Sequence, residues 1–353
     1  EGIRDSVASR GLGDVYKRQD FDGIPIVELK RNSPIDNMSW ITYLPNYLPK
    51  NVIEQHTGVW PNAQENFGEL IIFKVDDKLI EYVQEIANAK MQFNKKARLA
   101  LLDEGVEGQY RIRNLRPLTA RYEGTLIEEK EIFNLSDEIR NPLLSTRESL
   151  TEYGATIIAD PSKAYYSPRL ANEREKTVSS AKILREKLGR SLNIADPYCG
   201  VGPAIIHLVR TPNLVDKILA TDINPDAVEL LHQNLANCDI APPYPYPVGV
   251  GDALSLTNTK ELVGQFDILL MNLPHETIEH LPKLLPLLSR DNITLLRGWI
   301  VLEETKIQEA ELKIGEMISN RNPVNPRPVL EIRRQYNATK VLTRFEVWLG
   351  KSR

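Results

Sequence analysis

Cysteine is scarce in this 353-residue sequence, with Cys199 and Cys238 the only two. Two thiols with no nearby histidine cluster make neither a disulfide framework nor a zinc site, so no metal is expected. No apolar stretch approaches the roughly 20 residues that span a bilayer, which argues against a membrane partner. An amino-terminal signal pattern is also lacking, and the cytoplasm is the default compartment. Charge of one sign is not in excess either: 44 Lys and Arg face 48 Asp and Glu, a formal net charge of −4. A nucleic-acid partner would have to be held by local basic patches rather than by a global field.

What is present is an ordinary globular composition, long enough for two domains and at least one full core. Residues 1–19 (EGIRDSVASRGLGDVYKRQ) lack apolar periodicity and join abruptly to the patterned sequence beyond them. They read as a non-native or disordered tail resembling a translated adaptor remnant, with some native amino-terminal sequence expected to be missing. Residues 20–150 read as a small α+β domain with a connector. Runs at 70–75 and 97–102 have strand character, and Leu79, Ile80, Val83, Ile86 and Ala87 recur at helical spacing between them. Residues 103–108 read as a turn, followed by Arg111 and Arg113 on one strand face and Ile112 on the other. Residues 121–150 are charged without a clear period and suit a connector containing a hairpin.

From residue 151 strand and helix patterns alternate, which implies a Rossmann-like, mainly parallel, doubly wound α/β sheet. Candidate strands are 155–159, 192–196, 218–222, 247–250, 266–271, 297–302 and 342–349. Candidate helices are 170–187, 203–210, 225–237, 275–288 and 305–318. Asn224-Pro225 is an N-cap followed by proline at the first helical position.

The first strand to carry a glycine turn ends in Asp196-Pro197-Tyr198-Cys199-Gly200-Val201-Gly202, and a helix-like run comes next. Glycines one residue apart let backbone approach a ligand closely, as in nucleotide-binding βαβ units. The next strand delivers Asp222, placed to accept hydrogen bonds from ribose hydroxyls. A pyrophosphate-binding turn would want a third glycine where Ile205 stands. S-adenosylmethionine (SAM), which carries no phosphate, therefore fits better than NAD. In a doubly wound sheet ligands sit at the carboxyl ends of strands. Residues 196–202 suit the methionine portion, Asp222 the ribose, and Gly251-Asp252-Ala253 the adenine, with Ile223 a further cofactor-binding candidate. Asn272-Leu273-Pro274 ends a further strand where an acceptor should lie. Leu273 and His275 depart from the Asn-Pro-Pro-aromatic pattern that clamps exocyclic amines, which argues against such an acceptor.

Further motifs are Gly105-Val106-Glu107-Gly108-Gln109-Tyr110-Arg111-Ile112-Arg113 and Glu152-Tyr153-Gly154. Others are Lys163-Ala164-Tyr165-Tyr166-Ser167-Pro168-Arg169-Leu170-Ala171-Asn172-Glu173-Arg174 and Tyr336-Asn337-Ala338. With Asn272-Leu273-Pro274 these make the chain, from about residue 68 onward, resemble the archaeal and eukaryotic tRNA (guanine-N1)-methyltransferases, which modify the guanine at tRNA position 37. The amino-terminal domain that contacts the tRNA outer corner in that family is not recognisable here. Segment 121–151 looks longer than in the family.

The resemblance implies Glu173 as the general base that removes the N1 proton and Arg111 as the cation that stabilises charge on O6. Asn272 would pair with the guanine edge and also border the cofactor, Pro274 would fix the turn, and Tyr165 would shape the pocket or stack on a base. Each has a plainer alternative: Glu173 a salt-bridge residue beside Arg174, Arg111 a phosphate contact, Tyr165 and Tyr166 core aromatics. A basic stretch of Lys90, Lys95, Lys96, Arg98, Arg111, Arg113, Arg116 and Arg121, continued by Arg169, Arg174, Arg333 and Arg334, is the expected RNA contact. The expected partner is the tRNA anticodon stem-loop, bound by a monomer, with no DNA partner. Alternatives are methyl or aminocarboxypropyl transfer on a wyosine-precursor nucleoside, or a SAM-fold RNA-binding protein without turnover.

Overall fold

The computed structural model describes residues 39–351 except 109, 111 and 243. The 1–19 tail and Arg111 lie outside the described residues. From residue 40 onward the described residues cluster as one compact unit. A five-stranded sheet comes first: β1 (Gln64–Phe67), β2 (Leu70–Phe73), β3 (Leu99–Glu107), β4 (Ile112–Tyr122) and β5 (Thr125–Glu128), adjacent in that order. Helix α1 (Lys50–Gln55) precedes it, and α2 (Val83–Phe93) crosses over between the parallel pair β2 and β3. Strand β2 is Leu-Ile-Ile-Phe, apolar at every position, because both of its faces are covered. Ile71 and Phe73 pack with Ile86 and Met91 of α2, while Leu70 and Ile72 enter a core shared with Ile157, Ala181 and Ile194.

The expected turn at 103–108 is instead a continuation of β3, which pairs with β4 as far as Glu107. The connector 121–150 holds the β4–β5 hairpin, as its pattern suggested. It also holds two short helices, α3 (Glu129–Asn134) and α4 (Asp137–Leu144). Glu128 and Glu131 form a reciprocal capping box at the start of α3, a signal hidden in a run of like charges.

Strand β6 (Glu148–Glu152) pairs antiparallel with β7 (Ala155–Ala159), and the two form a ribbon of their own. Residues 155–159 therefore lie outside the large sheet, contrary to what the strand–helix alternation implied. Tyr153 and Gly154 both have positive φ, +46° and +77°, the geometry of a two-residue turn that folds β7 back onto β6.

The large sheet comprises β8 (Leu192–Asp196), β9 (Val215–Asp222), β10 (Val248–Val250), β11 (Ile268–Met271), β12 (Thr294–Glu303), β13 (Glu331–Gln335) and β14 (Lys340–Leu349). Their order is β10-β9-β8-β11-β12-β14-β13. The first five are parallel, and β14 and β13 close the edge antiparallel. On one face lie α5 (Ala171–Leu188), α6 (Pro203–Val209) and α7 (Pro225–Ala236); on the other lie α8 (Thr277–Leu284) and α9 (Ile307–Ile318). This is the doubly wound arrangement expected, apart from β13. That strand reads Glu-Ile-Arg-Arg-Gln, has no apolar alternation, and is recruited by pairing with β14. A bulge at Arg333 interrupts its register, so that Glu331 opposes Arg344 and Arg334 opposes Leu342.

The chain steps from β8 outward through β9 and β10, then returns to β11 on the other side of β8. That reversal opens a crevice at the carboxyl end of β8, the position where open α/β sheets bind ligands. Among the described residues no helix is long and apolar enough to cross a membrane.

Candidate active site

The crevice at the switch point is lined by the loop that ends β8. Gly200 and Gly202 have φ of +55° and +80°, a region costly for residues with a Cβ. At Gly202 a Cβ would also lie 2.4 Å from Leu231 Cδ1 of α7, so the turn presses directly on that helix. The turn is then stitched to the end of β9. Gly200 N donates to Asp222 Oδ2 and Asn224 N to Asp222 Oδ1, both at 2.9 Å, and Cys199 N donates to Thr221 O at 3.0 Å. Each carboxylate oxygen keeps a further acceptor position, which suits the two hydroxyls of a ribose. Burial holds Asp222 above the usual carboxylate range, against backbone N–H groups that pull it down. Thr221 Oγ1 is buried beside it with no hydrogen-bond partner.

Asp196 is buried at the root of the same turn and accepts from Tyr198 N at 3.4 Å. Burial, with a contribution from the Asp222 charge, raises it to about 7 against the pull of that amide. Tyr198 reaches α8, its hydroxyl 2.6 Å from His280 Nδ1. Gly251 N donates to Asp222 O, bringing the end of β10 alongside. Asp252 is exposed and caps Leu254 N at 2.9 Å, and Ala253 is buried behind it. Ile223 remains 44% exposed, an apolar surface at the rim. These residues fit a nucleoside cofactor: a carboxylate for a diol, an apolar rim and a turn that admits close backbone approach.

Tyr165 stands over this turn. A Cβ on Gly200 would lie 3.7 Å from Tyr165 O, and Asn224 Nδ2 donates to Lys163 O, tying residues 163–166 to the start of α7. Its ring is 60% exposed, whereas Tyr166 is buried against Phe67.

Asn272-Leu273-Pro274 comes after β11, the strand beside β8. Val301 N donates to Pro274 O at 2.8 Å, and Thr277 Oγ1 lies within hydrogen-bond distance of both Leu273 O and Trp299 O. The turn is thus clamped to β12, while Asn272 is exposed at its tip. His275, in the next loop, bonds Tyr336 Oη at 3.1 Å, so the Tyr336-Asn337-Ala338 motif meets the Asn272 turn.

Glu173 lies in the first turn of α5, over β12 and β14, and is 5% exposed. Arg333 Nε donates to its Oε1 at 2.6 Å, and Arg344 and Arg297 approach its Oε2 at 3.4 and 3.5 Å. Lys176 lies 3.8 Å from Oε1. Arg297 is 1% exposed and also pairs with Glu346, and Arg344 pairs with Glu331. Arg333 is the extra residue of the β13 bulge, which brings Arg334 opposite Leu342.

Residues 149–305 match the family described as the TRM5/TYW2 methyltransferase domain, a span that contains the crevice, Glu173 and the Asn272 turn. This part of the chain is thus similar to that family. Among relatives, the tRNA (guanine(37)-N(1))-methyltransferase Trm5b of Pyrococcus abyssi is 26% identical over 234 residues, 65% of this chain and 58% of that protein. The tRNA (guanine(37)-N(1))-methyltransferase of Paramecium tetraurelia is 24% identical over 250 residues, 70% of this chain and 52% of that protein. The chain thus spans between half and three-fifths of these relatives. The crystal structure of Pyrococcus abyssi Trm5b matches with a TM-score of 0.63 at 20% identity, over 86% of this chain and 78% of that one. The complex of aTrm5 with tRNALeu matches at 0.62 and 19%, covering 92% and 82%. Pyrococcus horikoshii TYW2 with MeSAdo matches at 0.61 and 15%, covering 89% and 98%. At these identities the structures show the shared fold.

The structure revises the expected basic stretch. Lys90 is buried against the rings of Trp40 and Phe73 and bonds Pro61 O and Gln64 Oε1. Arg98 is spent on Glu148 and backbone carbonyls, and Arg121 on Met91 O and Ala97 O. Arg113 and Arg116 pair with Glu65 and with Glu104 and Glu129. Arg174 is buried on Glu152 and Arg333 faces Glu173, so neither presents an open cation. Lys95, Lys96 and Arg169 are exposed. Sequence reasoning also missed Arg297 as a partner of Glu173. The signal was a lone arginine inside the apolar run of β12, since a buried charge demands a counterion.

Proposed function

We propose that this protein transfers a methyl group from SAM to N1 of guanine 37 in tRNA. The observation that carries this reading is the adjacency of two differently equipped strand ends. The β8–β9 crevice offers Asp222 and a glycine turn to a nucleoside, while the neighbouring β11 ends in an exposed Asn272 on a clamped turn. The domain match and the names of the sequence relatives support the same chemistry.

Bound SAM supplies an electrophilic methyl group. This chain's residues then have to hold guanine in line with it and remove the N1 proton. The Asn272 amide pairs with the base edge, Pro274 keeps that amide at the crevice, and the Tyr165 ring gives a flipped base a stacking surface. Glu173 accepts the N1 proton. Because Arg333 occupies Glu173 Oε1 at 2.6 Å, accepting the proton requires this pair to loosen as RNA enters. Arg111, on the segment between β3 and β4, stabilises the charge that moves to O6. The five-stranded sheet of residues 64–128, preceding the methyltransferase domain, serves as the RNA-docking part, with the anticodon stem-loop as the docked element.

Incubation with methyl-labelled SAM and a tRNA transcript carrying guanine 37, followed by nucleoside digestion, tests the reading. Labelled 1-methylguanosine supports it. Label on another nucleoside, or transfer of the aminocarboxypropyl chain, overturns it.

A further inference from the structure

The buried charges of the domain do not all belong to Glu173. Glu152, the last residue of β6, is 6% exposed and accepts from three separate pieces of chain. Arg174 donates twice, from Nε to Oε1 at 2.6 Å and from Nη2 to Oε2 at 2.5 Å. Tyr166 Oη donates to Oε2 at 2.7 Å, and His207 Nε2 of α6 lies 2.8 Å from Oε1. Arg174 Nη2 also reaches Ser167 O at 3.0 Å, and its guanidinium lies over the Tyr166 ring at 5.1 Å. Burial on its own would neutralise such a carboxyl. The bonds from His207, Arg174 and Tyr166, with the Arg174 charge, outweigh it and keep Glu152 ionised, at about 2.

Two of these partners are sequence neighbours of residues placed in the acceptor site. Arg174 comes directly after Glu173 in the first turn of α5, and Tyr166 directly after Tyr165 on the loop beside the glycine turn. Along the backbone this loop runs into α5 through the 3₁₀ turn Pro168–Leu170, and Glu152 adds a side-chain link between them. Glu152 connects them through a bidentate pair and one hydroxyl, and β6 brings it in from outside the large sheet.

We propose that Glu152 is a positioning residue that sets Glu173 and Tyr165 relative to one another, through Arg174 and Tyr166, while touching neither substrate nor cofactor. This rests on the reading of Glu173 as the base and Tyr165 as a base platform. Removing the Glu152 charge releases both segments together, while the bonds of Gly200 N and Asn224 N to Asp222 that shape the cofactor crevice do not involve Glu152.

The test uses the full chain with Glu152→Gln, Glu173→Gln, the double variant and Tyr166→Phe. In Glu152→Gln, SAM affinity by calorimetry should stay within about twofold while the methylation kcat falls at least tenfold. Adding Glu152→Gln to Glu173→Gln should then cost less than about twofold more, because the residue acts through one already removed. An additive loss in the double variant, or a loss of SAM affinity equal to the loss of kcat, overturns the proposal. Hydrogen exchange gives a readout independent of turnover. Peptides covering 163–168 and 171–176 should both exchange faster in Glu152→Gln, with those of β8 and β9 unchanged; protection kept in either segment overturns it. Tyr166→Phe, which keeps the ring packed on Phe67, should loosen 163–168 alone, and if Glu152→Gln does not fold this milder variant decides by the same exchange. If the unsubstituted protein makes no 1-methylguanosine, the proposed function fails, and the exchange result still decides the role of Glu152.

Discussion

Asp222→Asn separates holding a ligand from holding a turn. The carboxylate receives Gly200 N and Asn224 N on opposite oxygens, both at 2.9 Å. An amide of the same shape presents an NH₂ to one of these donors, stranding a buried N–H at a cost of about 1–3 kcal/mol. Its remaining bond to the ribose diol is neutral rather than charge-assisted, a loss of roughly 1.5–2 kcal/mol. The stranded donor is present with or without ligand, so only the loss of roughly 1.5–2 kcal/mol at the diol enters binding, and it predicts a weakening of S-adenosylhomocysteine or SAM binding of about 10–30-fold by calorimetry. Stability should respond differently. Burial already holds the Asp222 carboxylate above its ordinary range, so the charged form is disfavoured in the folded protein. Replacing it relieves that penalty and offsets the stranded donor. The ligand-free melting temperature at pH 8 should therefore move by only a few degrees, the shift that about 1 kcal/mol produces. A Kd within threefold of the unsubstituted protein would refute the diol reading. A melting loss as large as the binding loss would also refute it, by making Asp222 a turn residue only.

Glu173→Gln should lower the methylation rate by about 10²-fold or more, as expected for a general base, with SAM affinity unchanged in titration; retained turnover sinks the base assignment. Asp196 is raised from 3.8 to about 7, so its contribution to ligand-free stability is intact below 3.8 and lost as pH climbs through 7. Urea melts between pH 5 and 8 should show that decline and Asp196→Asn should abolish it, whereas SAM, whose ammonium prefers the carboxylate, should bind more tightly at pH 8 than at pH 6. Burial lowers Lys90 from 10.5 to about 7, so between those values the unfolded chain binds more protons and stability rises with pH. The stability of the unsubstituted protein relative to Lys90→Met should consequently increase from pH 7 to pH 10, and a constant difference contradicts the burial argument.

The parallel strands and the crevice were legible because their signals are local. Residues 192–196 and 218–222 are apolar runs that end in acids, and the glycines between them adopt a tight turn more easily than any other residue. The same reasoning misplaced residues 155–159, because apolar alternation looks identical in an isolated ribbon and in a large sheet. What separates the two is pairing, since β7 pairs with β6 alone among the described strands. β13 was invisible for the opposite reason, since its place comes from backbone pairing with β14 and its side chains carry no period. The basic stretch failed on a further ground. Charge counted along a chain takes no account of partners, and Arg98, Arg113 and Arg174 each meet a carboxylate from a distant segment. Long-range pairing of that kind leaves no trace in spacing.

The single extra residue in β13 makes chain length, rather than residue type, a control on Glu173. Strict alternation along Glu331–Gln335 would send neighbouring side chains to opposite faces of the sheet. Arg333 lies on the Glu173 face as alternation from Glu331 would have it, and the bulge also sets Arg334 opposite Leu342, on the same face, which carries Trp299. Loss of one residue from this edge strand would restore alternation and leave one arginine where there are now two, without altering any residue of the β8 or β9 turns. Insertions and deletions at an exposed edge are easily tolerated. The number of arginines on the Glu173 face can therefore drift with the length of a peripheral strand while the β8 and β9 turns stay fixed.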